Sequence, residues 1–371
     1  MDLNIHTETL AAVLALSIAL GALTARTGFC TMGAVSDWVN IGDLGRMRSW
    51  MLAVATAMAG VAGMEAAGII DLGQTFPSYR TPQLAWLRNM AGGLLFGIGM
   101  TLASGCGNKT LVRIGGGNLK SLLVLAVGAL FAYLMIFTDV YMATFGWMND
   151  YTLALDARAM TSQTLGSIVA GTLGGDARAL DRTLAWIIAG ALVIWAFASA
   201  EFRRDVDNVA GGIGFGLAVL AGWWLTAGPR AAAWKEWAEF AEVVPSRVEA
   251  QSYTFVSPMA DSARYLLDPT NTARLNFGVM ALAGVIIGAF AYAVIAGKFR
   301  VEWFNSKADL ARHTIGGALM AIGGVLASGC SVGQGITGVS TLALGSFITL
   351  LALIAGSALT MKATLWWLMR D

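Results

Sequence analysis

One stretch of this chain occurs twice. Residues Arg88 to Cys106 read RNMAGGLLFGIGMTLASGC, and residues Arg312 to Cys330 read RHTIGGALMAIGGVLASGC. The two align without a gap and share more than half their positions, which marks an internal duplication. Both open on Arg, carry a Gly-Gly pair (Gly92-Gly93 and Gly316-Gly317) and stop at Leu-Ala-Ser-Gly-Cys. Each is an apolar, glycine-rich helical pattern followed by a short interrupted run, Gly107 to Gly117 and Ser331 to Gly338. Interrupted hydrophobic segments at matching places in two halves of a chain are the sequence mark of a membrane site built from broken helices.

Composition sets the class. The chain is 57% hydrophobic and 13% charged, where soluble proteins carry roughly a quarter charged residues. Its apolar runs approach the about 20 residues that a helix needs to cross a bilayer. The expected fold is an all-α polytopic membrane protein of about nine transmembrane helices plus short re-entrant or half helices. The spans are expected near 8–26, 49–70, 88–105, 119–145, 183–201, 208–229, 275–297, 311–329 and 342–366. The segment after the first span is too broken to cross and too apolar for a plain loop. A re-entrant turn around Gly28-Phe29-Cys30 fits it, because irregular backbone at membrane depth is tolerated where it lines a protein cavity. The start, MDLNIHTETL, lacks the basic region and cleavage site of a signal peptide, so the first run reads as a retained span.

Charge gives the orientation. Arg26, Arg46, Arg48, Lys109, Arg113, Lys120, Arg203, Arg204, Lys298, Arg300, Lys307 and Arg312 flank span ends that nine crossings place on one side, which the positive-inside rule makes cytoplasmic. The N-terminus is then outside and the C-terminus inside. Segments 146–182 and 230–274 are expected outside the membrane, with Trp223-Trp224, Trp234 and Trp237 in an outer interfacial belt and Trp366-Trp367 in an inner one. Span 88–105 would run inward and span 311–329 outward, as inverted repeats require. The chain divides accordingly into a first unit, 1–145, a connecting segment, 146–274, with two spans, and a second unit, 275–371. All belong to one transmembrane domain.

The candidate site is the set of breaks. Cys30, Cys106 and Cys330 are the chain's three cysteines, and each sits where a hydrophobic run stops. A lone Cys in a membrane helix is ordinarily a small buried hydrophobe. Duplication, however, has kept Cys106 and Cys330 at the same broken position. With them go Gly105, Gly107, Asn108 and Lys109 in the first copy, and Gly329 and Ser331 in the second. Helices opening after these breaks present free N–H donors and partial positive charge to an anion. Lys109 and Arg113 lie four apart on one helix face and add positive potential. Neutral thiols are soft, weak donors and match sulfur-bearing anions better than phosphate. A net charge of +1 gives no reason to expect nucleic acid, and the scattered cysteines, with only His6 and His313 beside them, suggest no metal or cofactor. Glu65 is an acid within a span, read as satisfied by a neighbouring helix. Two other functions fit the same residues: a membrane sulfurtransferase forming a cysteine persulfide, and a binding or sensor subunit that recruits a partner.

Gly28-Phe29-Cys30, SGCGNKTLVRIGGGNLKSL at 104–122 and ASGCSVGQG at 327–335 resemble the YeeE/YedE family of bacterial inner-membrane sulfur-compound transporters. The resemblance spans nearly the whole chain. It implies an hourglass-like fold of nine spans with short helices dipping into the membrane. It also implies thiosulfate uptake along a central path lined by Cys30, Cys106 and Cys330. Some relatives are associated with selenium or other sulfur species. Some work with a small TusA-like sulfur-carrier protein, at times fused at the C-terminus. No fused carrier is expected in this sequence, which runs to Asp371 just after its last span.

Overall fold

The computed structural model describes residues 4–158 and 160–369. Helices account for nearly all the regular structure. The first part of the chain forms α1 Ile5–Thr27, α2 Thr31–Ile41, α3 Gly45–Ala66, α4 Trp86–Leu102, α5 Gly107–Gly115 and α6 Leu119–Phe137. Short α7 Val140–Phe145 and α8 Leu165–Leu173 precede α9 Ala177–Phe197, α10 Ala200–Arg204 and α11 Val206–Ala227. Then follow α12 Ala231–Glu239, α13 Val256–Leu267, α14 Phe277–Ile295, α15 Lys307–Leu326 and α16 Leu344–Leu368. A two-residue ladder pairs Gln83-Leu84 antiparallel with Leu153-Ala154. Polar residues start the long helices as capping chemistry requires: Asn4, Asn118, Asp176, Asp205, Asn276 and Ser306 each accept an N–H from the first turn.

Eight segments among the described residues are long and apolar enough to cross a membrane, so the chain is an all-α, multi-pass membrane protein. Each of the nine expected spans coincides with a long helix. The one outside the eight is α15, whose opening turns carry Lys307, Asp309, Arg312 and His313.

The duplicated helices α4 and α15 pack against each other, antiparallel, through their glycines. A Cβ added to Gly92 would stand 2.6 Å from the Gly323 carbonyl oxygen, and one on Gly323 would stand 2.6 Å from that of Gly92. Gly99 and Gly316 repeat the relation at 2.7 and 2.8 Å. Backbones meet this closely only where no side chain intervenes, and dispersion then replaces the hydrophobic effect as the source of association. Gly93 turns to α16 and its counterpart Gly317 turns to α6, so each copy carries the helix that follows the other. Helices α1 and α14 cross in the same reciprocal way, Gly21 on Val285 and Gly288 on Ile18.

Connections gather at two ends. At one, Asn118 bonds Glu302, Arg26 pairs with Asp207 at 3.4 Å, and Ala25, Arg113 and Lys298 share a cavity. At the other, Thr75 bridges Ala250, Leu344 donates to the Gln163 carbonyl, and Arg230 pairs with Glu8.

Three sequence expectations need correction here. Segment 230–274 is not wholly outside: residues 250–255 are buried as a non-helical run that enters the core. Its polar groups find remote partners inside, Tyr253 Oη with Ser17 Oγ at 2.9 Å and the Tyr253 carbonyl with Thr337 Oγ1 at 2.7 Å. Trp223 and Trp234 are core residues, not belt residues. Trp223 meets the Tyr79 ring edge-on, and Trp234 Nε1 donates to His6 Nδ1 at 3.1 Å. Trp224, Trp366 and Trp367 are exposed, as a belt requires. Glu65 is held by Arg80 of the loop before α4, at 2.5 and 3.0 Å, and not by a helix.

Candidate functional site

The three cysteine breaks are built alike. Cys30 separates α1 from α2, and Cys106 separates α4 from α5. Cys330 separates α15 from a helical turn, residues 331–340, that widens into a π-helix at Gly333–Gly338. Each cysteine is the residue before a helix start. Each carbonyl accepts the N–H four residues on: Ala34 to Cys30 at 3.0 Å, Thr110 to Cys106 at 2.9 Å and Gln334 to Cys330 at 2.8 Å. Each sulfur faces the N–H three residues on. Gly33 donates to Cys30 Sγ at 3.4 Å and Gly333 to Cys330 Sγ at 3.3 Å. The Lys109 N–H faces Cys106 Sγ from the same position, though outside hydrogen-bond geometry. Cysteine is not among the favoured N-caps, so capping strength does not explain sulfur at all three. π-Helical turns cluster at functional sites because they re-aim the residues they carry.

The chain turns into the breaks on serine. Glycine is the residue freest to make a sharp change of direction. Instead Ser104 and Ser328 take the left-handed conformation, while Gly105 and Gly329 do not. The reason is the hydrogen-bond register at the helix end. Gly105 N–H reaches back to the Met100 carbonyl at 2.9 Å and Gly329 N–H to that of Gly324 at 2.7 Å. This closing motif puts the left-handed residue one place earlier.

The sulfurs are enclosed and free. Cys30, Cys106 and Cys330 are 6%, 1% and 0% exposed, and none is in a disulfide. The Cys30 and Cys106 thiols are neighbours, as are Cys106 and the Ser331 hydroxyl, with no regular hydrogen bond joining either pair. Ser331 adjoins Cys330, so a contact series runs from Cys30 through Cys106 and Ser331 to Cys330. Three buried atoms next to these cysteines, Thr31 Oγ1, Asn108 Oδ1 and Ser331 Oγ, have no regular hydrogen-bond partner among the described residues. Such a group costs about 1–3 kcal/mol when left unsatisfied, and the three fall along one contact series.

The two ends of the series differ. Beyond Cys30 lie cations. Arg46 reaches Gly33 while paired with Asp37, the Lys109 stem covers Gly105, and Arg113 Nη1 donates to the Ser104 carbonyl at 2.6 Å. Lys109 and Arg113 are close enough to act on Cys30 electrostatically. Around Cys330 the wall is polar and aromatic. Thr254 Oγ1 stands 3.9 Å from Cys330 Sγ, and Tyr79 Oη donates to the Gly333 carbonyl at 2.7 Å. Phe255 and Met259 pack over Gly107 between Cys330 and Cys106. The residues singled out from sequence, Gly105, Gly107, Asn108, Lys109, Gly329 and Ser331, all lie at these breaks. Those missed are Arg46, Tyr79, Tyr253, Thr254 and Phe255. The last three had one available signal, the charge-free run between Glu249 and Asp261. Among the described residues no group of three His, Cys, Asp or Glu side chains is placed to hold a metal ion.

A multi-pass helical bundle with three enclosed breaks defines a membrane protein of the broken-helix kind. The family model for sulphur transport matches residues 26–359, nearly the whole chain, and the chain belongs to that family. It is 26% identical over 283 residues to the thiosulfate transporter TsuA of Spirochaeta thermophila, covering 72% of this chain and 75% of that protein. To the thiosulfate transporter TsuA of Escherichia coli strain K12 it is 24% identical over 357 residues, covering 91% and 89%.

Proposed function

We propose that this protein takes up thiosulfate, or a closely related sulfur anion, across a bacterial inner membrane, and that Cys30, Cys106 and Cys330 line its path. The observation that carries the reading is the matched construction of the three breaks. Each presents a buried sulfur at a helix start, beside an unsatisfied polar atom. Thiosulfate has hard sulfonate oxygens and a soft terminal sulfur. Helix N–H groups suit the first and a thiol S–H suits the second. A thiolate would repel the anion at this range, so the thiols act as neutral donors and polarisable surface. No step makes or breaks a covalent bond, and the protein works as a transporter and not as an enzyme.

In this reading the anion passes Cys330 first, then Ser331 and Cys106, then Cys30, and leaves toward Lys109 and Arg113. The basic loop ends at 113–120 and 298–307 face the cytoplasm, with the N-terminus periplasmic and the C-terminus cytoplasmic. Units 1–145 and 275–371 are read as inverted repeats around the segment 146–274, which the reciprocal contacts of α4 with α15 and of α1 with α14 support. A small TusA-like carrier is the proposed receiver on the cytoplasmic face.

The test is uptake of radiolabelled thiosulfate into liposomes holding only this protein. Saturable uptake, with thiols that keep their mass after turnover, is expected. Absent uptake, or a sulfur atom retained on one of the three cysteines, would overturn the reading, the second result in favour of a sulfurtransferase.

A further inference from the structure

A cavity of about 360 Å³ lies between α3 and α9, where each helix reaches the end of its span. Six charged side chains line it: Glu65, Asp71, Asp181, Arg80, Arg178 and Arg182. Three of them are already engaged. Glu65 and Arg80 form their two-pronged pair, and Arg80 Nε also donates to the Thr341 carbonyl at 3.2 Å. Asp181 receives Thr164 Oγ1 and the Gly166 N–H, each at 2.7 Å, and so holds the start of α8. The other three are not. Arg178 and Arg182 stand one turn apart on one face of α9, both exposed. Neither guanidinium has an ion pair or a hydrogen bond among the described residues. Asp71 accepts only the Gly73 N–H, through Oδ1 at 2.9 Å, and pairs with neither arginine. The cavity therefore offers two cations and a carboxylate that the protein itself does not satisfy.

The surroundings are those of lipid. Helix α9 turns Trp186, Ile187 and Ile194 outward, all exposed, along a span long and apolar enough to cross a membrane. Trp186 lies one turn beyond Arg182 and reaches across to Gly63 of α3. An indole near the end of such a helix, with arginines one and two turns nearer that end, marks the headgroup level of the bilayer. Val61, Ala62 and Ala185 give the cavity an apolar wall.

We propose that this cavity holds the headgroup of an ethanolamine phospholipid, with the phosphate on Arg178 and Arg182 and the ammonium on Asp71. Guanidinium groups bind phosphate oxygens through charge-assisted hydrogen bonds. A carboxylate accepts from a primary ammonium, which carries three N–H donors; a choline headgroup has none. Free phosphate leaves both Asp71 and the apolar wall without a partner, whereas the acyl chains of a lipid continue along the exposed face of α9. The headgroup rests on Ser340 and Leu342, at the end of the turn that follows Cys330, and braces α9 against it. The inference goes beyond the transport reading and does not depend on it.

The test is native mass spectrometry of the full-length protein in mild detergent, titrated with dioleoyl phosphatidylethanolamine, phosphatidylcholine or phosphatidylglycerol. One ethanolamine lipid should bind at least threefold more tightly than either of the others. Arg178→Gln combined with Arg182→Gln should weaken it at least fivefold, and Arg312→Gln, at an exposed arginine elsewhere, should leave it unchanged. Asp71→Asn should bring the ethanolamine lipid down to the level of the choline lipid. Arg178 and Arg182 have no partner to lose, so the double variant should run as wild type in gel filtration. The ethanolamine lipid should raise the thermal midpoint of the wild type and not that of the double variant. No preference for the ethanolamine lipid, unchanged binding in the double variant, or a preference that survives Asp71→Asn overturns the proposal. Displacement of the lipid by millimolar inorganic phosphate also overturns it, in favour of a site for the free ion.

Discussion

Ser104 and Ser328 hold the same left-handed backbone, φ 58° and 56°, at the same step of two antiparallel helices. They face different surroundings. The Ser104 carbonyl receives Arg113 Nη1, whereas Ser328 lines a cavity of about 450 Å³ together with Arg88 and Gln334. A side chain in this conformation is strained by about 1–3 kcal/mol, more when it is β-branched. Ser104→Val and Ser328→Val should each lower the thermal midpoint of the purified protein by several degrees, and Ser→Gly at either site should hold or raise it. Equal midpoints for Val and Gly would mean that the turn is not under this constraint.

The glycine contacts of α4 and α15 lead to a packing prediction. Gly99→Val or Gly316→Val forces a side chain onto a facing carbonyl that a Cβ alone would approach at 2.7–2.8 Å. Overpacking of this kind costs about 1–3 kcal/mol and should reduce the yield of monodisperse protein severely. Gly190 of α9 has nothing within 4 Å of an added Cβ. Gly190→Ala should be neutral or stabilising by up to about 1 kcal/mol, as in any open helix position. Gel filtration and thermal scans of the three variants measure the contrast.

Glu65 and Arg80 form a two-pronged pair with side chains 28% and 16% exposed. Removing the cation alone strands the carboxylate. For this partial burial, between the exposed and buried limits, Arg80→Ala should cost about 1–3 kcal/mol. Arg80→Ala combined with Glu65→Gln should recover much of that loss. A double variant no better than Arg80→Ala would show that the arginine acts through its bond to the Thr341 carbonyl instead.

The long helices were legible because each is an uninterrupted apolar run, and the two main breaks because duplication wrote the same break twice. The non-helical run through Tyr253 was not legible. It has no period, and its partners Ser17, Thr337 and Cys330 are remote in the chain. A sequence window sees only its position between two amphipathic helices, and so assigns it to the surface. Trp223 misled for a related reason. A tryptophan near a span end suits a lipid interface, and only the loop carrying Tyr79 makes this one a core residue. Serine in place of glycine at the turn was hidden because intrinsic freedom favours glycine, while the hydrogen-bond register decides which residue bears the strain.

Lys109 lies over Gly105 at the cationic end of the series, half-buried, and acts on Cys30 through space. Lys109→Gln should raise the half-saturation concentration for thiosulfate several-fold and leave more than half of the maximal rate. Titration of uptake against substrate separates the two quantities. Complete loss in a well-folded variant would place Lys109 within the path itself.

The most direct measurement is thiosulfate uptake by liposomes holding Cys106→Ala. Cys106 is the middle member of the series, within reach of both Cys30 and Ser331. The substitution removes one buried sulfur from a site 1% exposed, so the variant should be folded, with a thermal midpoint close to wild type. Uptake is expected to fall at least tenfold. Wild-type uptake by folded Cys106→Ala would contradict the thiol path.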